Sequence, residues 1–371
     1  MAHDQGADNT TVGLLEVDPS GPRVSWVFPS LQGKEDMVRV LASRAQLLAP
    51  SPSSPPTFTF FRVGSTWYYS LARDRKASNE EDVVHPVVSR FAVFLGAATF
   101  HPERYEALLH VLLRAFEAES GSPLALLQRV LSVSTKGIAS APGGADFVAS
   151  KFGSSLDDES LAGSLSHAVQ RLGAAACATL WAAMMLRCRV AVYKESDAAA
   201  VLAVVRALPL LTWHRRRWEV LMPLCGLSLA DEIQELNSAG TFVAGFTDPA
   251  ILERSELYDV LVCLDGSGRV SGAETPQLPP RQPPSTLLKL TASGAHLQLP
   301  TPIRAEVEAA LGSDSGSSSG ILGRLEGVTA RMLEMARDGA TSDGGASDAG
   351  DRSDAIFLRR LLDAEGIGAS A

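Results

Sequence analysis

The stretch from residue 208 to residue 265 restricts the possible folds of this chain more than any other part. Two of its segments, Phe242–Phe246 and Leu257–Leu264, are mainly apolar, and turn residues bound each of them. A helical pattern at residues 228–237 precedes the first segment, and an acidic turn separates the two. Apolar runs of this length are typical of strands in a sheet that is buried on both faces. The stretch therefore predicts the core of an α/β domain.

The elements before this stretch predict how the sheet is paired. Residues 190–193 form another apolar run of strand length, and helical patterns at residues 161–172, 174–186 and 198–208 surround it. Strands that alternate with helices of this length are typically parallel and joined by right-handed crossovers. We therefore expect a central, largely parallel sheet.

The first part of the chain predicts a separate α/β lobe. A turn at residues 18–22 between two apolar strands indicates a hairpin, and residues 58–71 indicate a second one. A fifth strand is expected at residues 90–95, followed by a helix that begins at Pro102 and carries apolar residues on one face. Five strands with helices around them are enough for an independent core.

Length and composition agree with more than one domain. A chain of 371 residues is too long for one ordinary core, and its apolar fraction of 46% is sufficient for two. Stretches rich in Gly, Ser and Pro mark the expected boundaries. The predicted parts are an N-terminal lobe over residues 10–138, a linker over 139–160, a core α/β lobe over 161–272, and a C-terminal helical part over 286–367 with flexible inserts at 312–320 and 338–353.

The charge balance argues against nucleic acid as a partner. The net charge of −9 opposes attraction to phosphate backbones, so such a role needs a concentrated basic patch. The one candidate is the run Arg215–Arg217, which stands between Trp213 and Trp218. We interpret this run as a solvated turn flanked by two buried aromatic anchors, and His214 as a hydrogen-bonded structural residue.

The cysteines and the apolar segments indicate a cytoplasmic protein. The four cysteines are far apart and form no Cys-x-x-Cys pair, so they predict small core residues in a reducing compartment. The first residues lack the basic start and apolar core of a secretory signal. The longest stretch without charge, residues 172–186, is shorter than the roughly 20 residues that span a bilayer. Peripheral membrane association is the most that we expect.

Two glycine motifs suggest an enzyme that acts on a small molecule, and both lack their structural context. Residues 316–320 match Gly-x-Ser-x-Gly, but a helix and a Ser/Gly stretch precede them where a hydrolase has a strand. Residues 266–268 resemble a dinucleotide-binding turn whose third glycine, Gly272, is misplaced. We therefore predict no catalytic residue, no cofactor and no metal site.

The order and spacing of several segments resemble the DENN module, and more narrowly a short member of that family that consists of the module alone. Each segment is a weak signal, and together they make the match fairly specific. The similarity covers most of the chain from about residue 11. The matching segments are Gly121–Pro123, Thr135–Ile138, Leu161–Ser164, Leu208–Trp218, Val243–Phe246, Leu257–Val260 and Phe357–Glu365.

The resemblance implies a bilobal fold and a function in membrane traffic. It implies an N-terminal longin-like lobe and a larger C-terminal α/β lobe with C-terminal helices. DENN modules act as guanine-nucleotide exchange factors for Rab GTPases and hold the GTPase switch regions between the lobes. The short member is associated with late endosomes. A non-catalytic scaffold that docks an endosomal sorting complex is the alternative function.

The resemblance supplies no short motif for exchange, so we choose candidate contact residues by their position. Arg215 and Arg216 lie in the basic turn, and Asp248 and Glu253 lie in the acidic loop after a strand. Charged loops beside buried strands can reach a partner while the scaffold stays rigid. We predict that these four residues contact the GTPase.

Overall fold

The structure is a computed structural model that describes residues 10–30, 38–41, 56–74, 87–152, 158–215, 217–264, 287–291, 297, 299–312, 319–341 and 349–366. Within it the chain divides into two compact units, Met1–Asp157 and Asp158–Ala371. Most of the expected Pro-rich loop after Gly272 and the middle parts of both expected inserts lie outside the described residues. Residues 38–41, which lie between the two hairpins of the first unit, are helical.

The first unit is built on a five-stranded antiparallel sheet. The strand order is β2-β1-β5-β4-β3, and every neighbouring pair is antiparallel. Both predicted hairpins are confirmed, as is the fifth strand. The strands are β1 (Thr11–Asp18), β2 (Gly21–Phe28), β3 (Thr57–Val63), β4 (Thr66–Asp74) and β5 (Arg90–Ala97).

Two helices follow this sheet and pack against it. In α1 (Pro102–Ala118) the first residue is proline, whose missing N–H is not needed at a helix start, and the buried face contacts β4 and β5. The second helix, α2 (Pro123–Lys136), contacts α1 and β1. It ends at Gly137, whose φ of 71° lies in the left-handed region that glycine adopts without strain.

Tyr69 of β4 connects the sheet to the start of α1. Its hydroxyl donates to the carbonyl oxygen of Thr99 at 2.9 Å and accepts from the backbone N–H of His101 at 2.8 Å. Its ring stacks on that of Tyr105 with 4.5 Å between the ring centroids. The buried hydroxyl is therefore satisfied while both rings add to the apolar core.

The residues predicted as a linker contain a short hairpin. Its strands are β6 (Ile138–Ala139) and β7 (Phe147–Val148). Phe147 is buried, and its ring stacks on that of Phe152. The backbone hydrogen bonds and this aromatic contact order a segment that was predicted, from its Gly-rich composition, to be a linker.

The second unit contains the predicted sheet, which is largely parallel. The strand order is β12-β11-β8-β10-β9, and the first strand, β12, is the antiparallel one. The side chains of β8, β10 and β11 are buried along almost their whole length, as expected for strands covered on both faces. The strands are β8 (Arg189–Tyr193), β9 (Leu221–Met222), β10 (Phe242–Phe246), β11 (Val260–Cys263) and β12 (Leu287–Leu290).

Seven helices are described in this unit, and the C-terminal ones pack on it as expected. Trp181, fully buried in α4, donates to the hydroxyl of Thr329 in α8 at 3.2 Å, and its ring contacts that of Phe357 in α9. No described helix is both long and apolar enough to cross a bilayer. The helices are α3 (Asp158–Leu172), α4 (Ala174–Met185), α5 (Ala198–Val205), α6 (Ala230–Ser238), α7 (Thr301–Gly312), α8 (Ser319–Thr341) and α9 (Ala349–Glu365).

Two boundaries differ from the sequence prediction. The last parallel strand begins at Val260 and not at Leu257, because Ser255–Leu257 forms a 3-10 turn whose apolar residue is buried like a strand residue. The expected insert at residues 338–353 is helical at both ends, since α8 extends to Thr341 and α9 begins at Ala349. Composition shows where apolar side chains and glycines occur, and not where the backbone changes conformation.

Gly245 gives a direct test of the packing around β10. A Cβ atom at this position would lie 2.1 Å from the carbonyl oxygen of Pro223 and 2.6 Å from Cγ1 of Val201. We expect Gly245→Ala to lower the free energy of unfolding by about 1–3 kcal/mol, because neither neighbour has room to move. Urea-induced unfolding measures this change.

Gly240→Ala is the matched control, since a Cβ at Gly240 would meet no atom within 4 Å. We expect a change of about 0.5 kcal/mol or less. Equal stability of the two variants would contradict the close approach seen at Gly245.

Candidate functional site

The predicted basic turn forms a 3-10 segment, Leu208–Arg215, which places Arg215 inside the second unit. The Arg215 side chain is 9% exposed. Its Nη1 donates to the carbonyl oxygen of Met184 and its Nη2 to that of Met185, both at 2.7 Å, at the carboxyl end of α4. Its Nε donates to Oε1 of Glu365 at 3.0 Å, and Nη2 donates to the same oxygen. We call Arg215, Glu365 and the neighbouring His214 the Arg215 cluster.

The Arg215 cluster is electrostatically balanced. Burial alone would raise the pKa of Glu365, but hydrogen bonds from Arg215 and His214 lower it overall. His214 Nε2 lies 3.1 Å from Oε1 of Glu365. The two carbonyl groups that Arg215 binds carry the partial negative charge of a helix carboxyl end. The arginine therefore ties α4 and the last residue of α9 to the segment between α5 and β9.

This arrangement corrects the prediction of a solvated turn between two buried aromatic anchors. The Arg215 side chain is 9% exposed and makes four hydrogen bonds, whereas a solvated turn would leave it in water, and Trp213 and Trp218 are only half-buried. A run of arginines next to tryptophan predicts an exposed turn, because arginine side chains are usually solvated. The neutralising carboxylate comes from Glu365, 150 residues away. The structural role predicted for His214 agrees with its contact to Glu365.

The second pair of predicted contact residues lies in residues 247–259, which we call the acidic loop. Asp248 Oδ1 accepts a hydrogen bond from the backbone N–H of Ala250 at 2.9 Å and so caps the short 3-10 helix Pro249–Glu253. Ile251 and Leu257 are buried and fix the loop to the sheet. Glu253 is exposed and makes no hydrogen bond or ion pair with another described residue. The loop is thus anchored by its apolar residues and presents carboxylates outward.

A bidentate ion pair closes the acidic loop at its far end. Asp259 accepts from the backbone N–H of Arg189 at 2.8 Å and from the Arg189 guanidinium at 2.9 Å. Arg189 Nη1 also donates to the carbonyl oxygen of Glu256 at 3.0 Å. Such paired hydrogen bonds fix geometry as well as charge. They hold the loop against the amino end of β8.

The structure separates the predicted contact residues from one another. Asp248 follows the carboxyl end of β10, whereas Arg215 lines a pocket with Thr241, which precedes the amino end of the same strand. The five residues of β10 span about 16 Å at roughly 3.3 Å per residue. Arg215 and Asp248 therefore lie at opposite edges of the sheet. Arg216 lies outside the described residues.

Three residues that matter to this region escaped the sequence prediction. Glu365 and Asp259 are the carboxylates of the two partly buried ion pairs, and each pairs with an arginine far away in sequence. Arg187 lines the pocket beside Arg215. Arg187 directly follows the apolar run that becomes α4, at a position where glycine is more usual. An arginine at this position was the one local signal of the pocket in the sequence.

The four cysteines are buried and unpaired in the structure, as predicted. Burial raises the pKa of the Cys177 and Cys188 thiols to about 12, so both stay protonated at neutral pH. No group of three or more His, Cys, Asp or Glu residues in the described part of the chain is arranged to hold a metal ion. Around the sheet, Arg189 pairs with Asp259 and Arg215 with Glu365, whereas Glu253 is exposed.

Known proteins identify the family. The chain is 33% identical over 258 residues to DENN domain-containing protein 10 of Danio rerio, covering 69% of this chain and 70% of the relative. The Homo sapiens protein of the same name is 32% identical over 254 residues, covering 68% of each chain. The chain belongs to this family. The Dictyostelium discoideum member is 31% identical over 265 residues, which cover 68% of this chain and 70% of that member. No protein-family model matches the chain.

Membership in the DENN domain-containing protein 10 family confirms the resemblance seen in the sequence. The relatives match about two thirds of the chain, and their names specify a domain and no active residue. The observed order of a mixed α/β second unit followed by packed C-terminal helices is consistent with that domain.

The Arg215 cluster predicts a stability change that depends on pH. Glu365→Gln removes the negative charge that two partners contact, so we expect a loss of about 1–3 kcal/mol in the free energy of unfolding at pH 7. The lowered pKa of Glu365 contributes stability that is present above its unfolded value, roughly 4.3. That contribution disappears as pH falls through the folded value. The difference between wild type and variant should therefore shrink as acid is added.

Urea unfolding at a series of pH values measures this difference. Glu306→Gln serves as the control, because Glu306 pairs with Arg331 at the surface and its loss should cost about 0.5 kcal/mol or less. A Glu365→Gln variant as stable as the Glu306→Gln variant at pH 7 would contradict a stabilising Arg215 cluster.

Proposed function

We propose that this protein is a guanine-nucleotide exchange factor for a Rab GTPase in late endosomal traffic. Its place in a family named for the DENN domain carries the proposal, because DENN modules generally act on Rab GTPases. The protein would work in the cytoplasm and attach to late endosomes only peripherally.

Exchange requires no covalent chemistry. A surface that binds the nucleotide-free GTPase more tightly than the GDP-bound form releases the nucleotide by differential affinity alone. A rigid surface favours such discrimination, because a surface that adapts to bind both forms equally shifts nothing. A sheet buried on both faces, with loops anchored to it by ion pairs, meets that requirement.

The topology supports the finer fold assignment that the proposal needs. We propose that residues 10–138 form a longin-like lobe, and the antiparallel order β2-β1-β5-β4-β3 with two packed helices supports this. We assign residues 161–272 to the core DENN lobe and 286–367 to its C-terminal helical part. Residues 139–160 connect the two lobes in this assignment.

We propose a GTPase contact that includes Arg215, Arg216, Asp248 and Glu253, with Glu253 as the most accessible of those described. Arg215 has one N–H group left for a partner, since the other four already donate hydrogen bonds within the protein. The Asp248 carboxylate caps its own loop. Glu253 is exposed on a loop held by the buried Ile251, so its charge is available without reorganisation. Pre-organised charges of this kind increase both binding and specificity.

A panel of Rab GTPases loaded with fluorescent GDP tests the proposed activity. We expect the purified protein to accelerate nucleotide release from at least one of them by about tenfold or more, as differential binding of roughly 1.4 kcal/mol or more requires. If folded protein accelerates none, the exchange proposal fails. Recovery of a sorting complex from cells in stoichiometric amounts, without a Rab, would then favour the scaffold function.

Glu253→Arg tests the contact surface. Because the side chain is exposed, we expect the melting temperature to stay unchanged while affinity for the responsive Rab falls about tenfold, as charge reversal at an interface commonly does. Glu326→Arg makes the same charge change on an exposed position of α8 and should leave the affinity unaltered. Equal affinities of the two variants would exclude Glu253 from the contact.

A further inference from the structure

A pocket with an unusual concentration of arginines lies at the amino edge of the parallel sheet. Arg187, Arg215 and Arg217 line it, together with Thr212 and Thr241. No carboxylate belongs to its lining. Three guanidinium groups around one small pocket repel one another unless an anion lies between them.

The backbone conformation at Arg187 indicates a functional role for its side chain. Arg187 has a φ of 55° and occupies the left-handed position after α4, where its neighbour Cys188 donates to the carbonyl oxygen of Ala183 at 2.9 Å. Glycine is the usual residue at such a helix end. An arginine there adopts a backbone conformation that is unfavourable for residues with a Cβ atom. A residue kept in such a conformation is a candidate for function.

Hydrogen-bonding capacity remains in the pocket. The Nε atom of Arg187 is buried and has no hydrogen-bond partner among the described residues. Arg215 uses four of its five N–H groups, which leaves one on Nη1. The hydroxyl groups of Thr212 and Thr241 already donate to the carbonyl oxygens of Pro209 and Cys188, each at 3.3 Å. The unused donors are therefore those of the guanidinium groups.

The charges near the pocket leave an excess of positive charge. Glu365 neutralises Arg215. The carbonyl groups of Met184 and Met185 already accept hydrogen bonds from Arg215. Arg217 approaches Glu219 only to 3.9 Å, and the two side chains are 49% and 67% exposed, so water screens that pair. Burial lowers the pKa of Arg215, and the positive charges of Arg187 and Arg217 oppose the raising effect of Glu365.

We propose that Arg187, Arg215 and Arg217 bind the phosphate group of a phosphomonoester. Arginine is the side chain best suited to phosphate because its planar fork donates to two oxygens at once. The pocket has a volume of about 20 Å³, which exceeds the roughly 10–15 Å³ that a water molecule needs. It therefore admits one oxygen atom of a phosphate group and leaves the rest of the ligand at the pocket mouth. The ligand is either a soluble phosphate or the headgroup of a phosphoinositide lipid.

Arg215 also belongs to the proposed GTPase contact, so the test of phosphate binding uses the full-length protein without a GTPase. Isothermal titration calorimetry with inorganic phosphate and with inositol trisphosphate measures the soluble ligands. Co-sedimentation measures the lipid, with phosphatidylcholine vesicles that contain either phosphatidylinositol phosphate or phosphatidylserine. Binding to the phosphoinositide vesicles but not to the phosphatidylserine vesicles assigns the site to a lipid headgroup, whether or not the soluble compounds also bind. Binding to the soluble compounds alone assigns it to a soluble phosphate.

Arg187→Gly is the decisive variant, because glycine accepts a φ of 55° without strain. We expect this variant to unfold at a temperature no lower than wild type and to bind the responsive phosphate compound about tenfold more weakly or worse. Arg217→Gln, at a half-exposed position, should also lower affinity without affecting folding.

Arg331→Gln is the matched control, since this exposed arginine of α8 does not line the pocket. Its affinity for phosphate should equal that of wild type. The proposal is overturned if wild type binds none of the phosphate compounds, if Arg187→Gly binds as wild type does, or if Arg331→Gln weakens binding as much as Arg187→Gly.

Discussion

Burial of the parallel strands on both faces is the constraint on which the second unit depends. The strands β8, β10 and β11 carry almost no polar side chain, so helices must cover both sides of the sheet. That leaves only the two edges, where the strands begin and end, for polar and charged residues. The edges are consequently where the Arg189–Asp259 pair, the Arg215 cluster and the acidic loop occur.

The two ion pairs turn a set of packed elements into a rigid scaffold. Arg189 and Asp259 hold the start of β8 against the residue that precedes β11. Arg215 and Glu365 hold the last residue of α9 against the carboxyl end of α4. Removal of one partner from a partly buried ion pair destabilises a protein. Each of the two pairs therefore acts as a fixed connection. Rigidity is the property that a protein needs if it discriminates between two states of a partner.

Local patterns predicted most of the elements and little of the site. The apolar runs at β8 and β10 and the proline-started helix α1 were predicted to within a few residues, because burial and helix starts leave local signals. The ion pair between Arg215 and Glu365 left no local signal in the sequence, since the two residues are 150 positions apart. The start of β11 was predicted too early because a buried 3-10 turn and a strand show the same apolar pattern.

We propose that a rigid, non-catalytic surface of this protein distinguishes two states of a Rab GTPase. Surface plasmon resonance tests this by measuring the affinity of the protein for the same Rab in the nucleotide-free and GDP-bound forms. We expect the nucleotide-free form to bind at least about tenfold more tightly, which corresponds to roughly 1.4 kcal/mol of differential affinity. Equal affinity for the two forms, or stronger binding of the GDP-bound form, would contradict it.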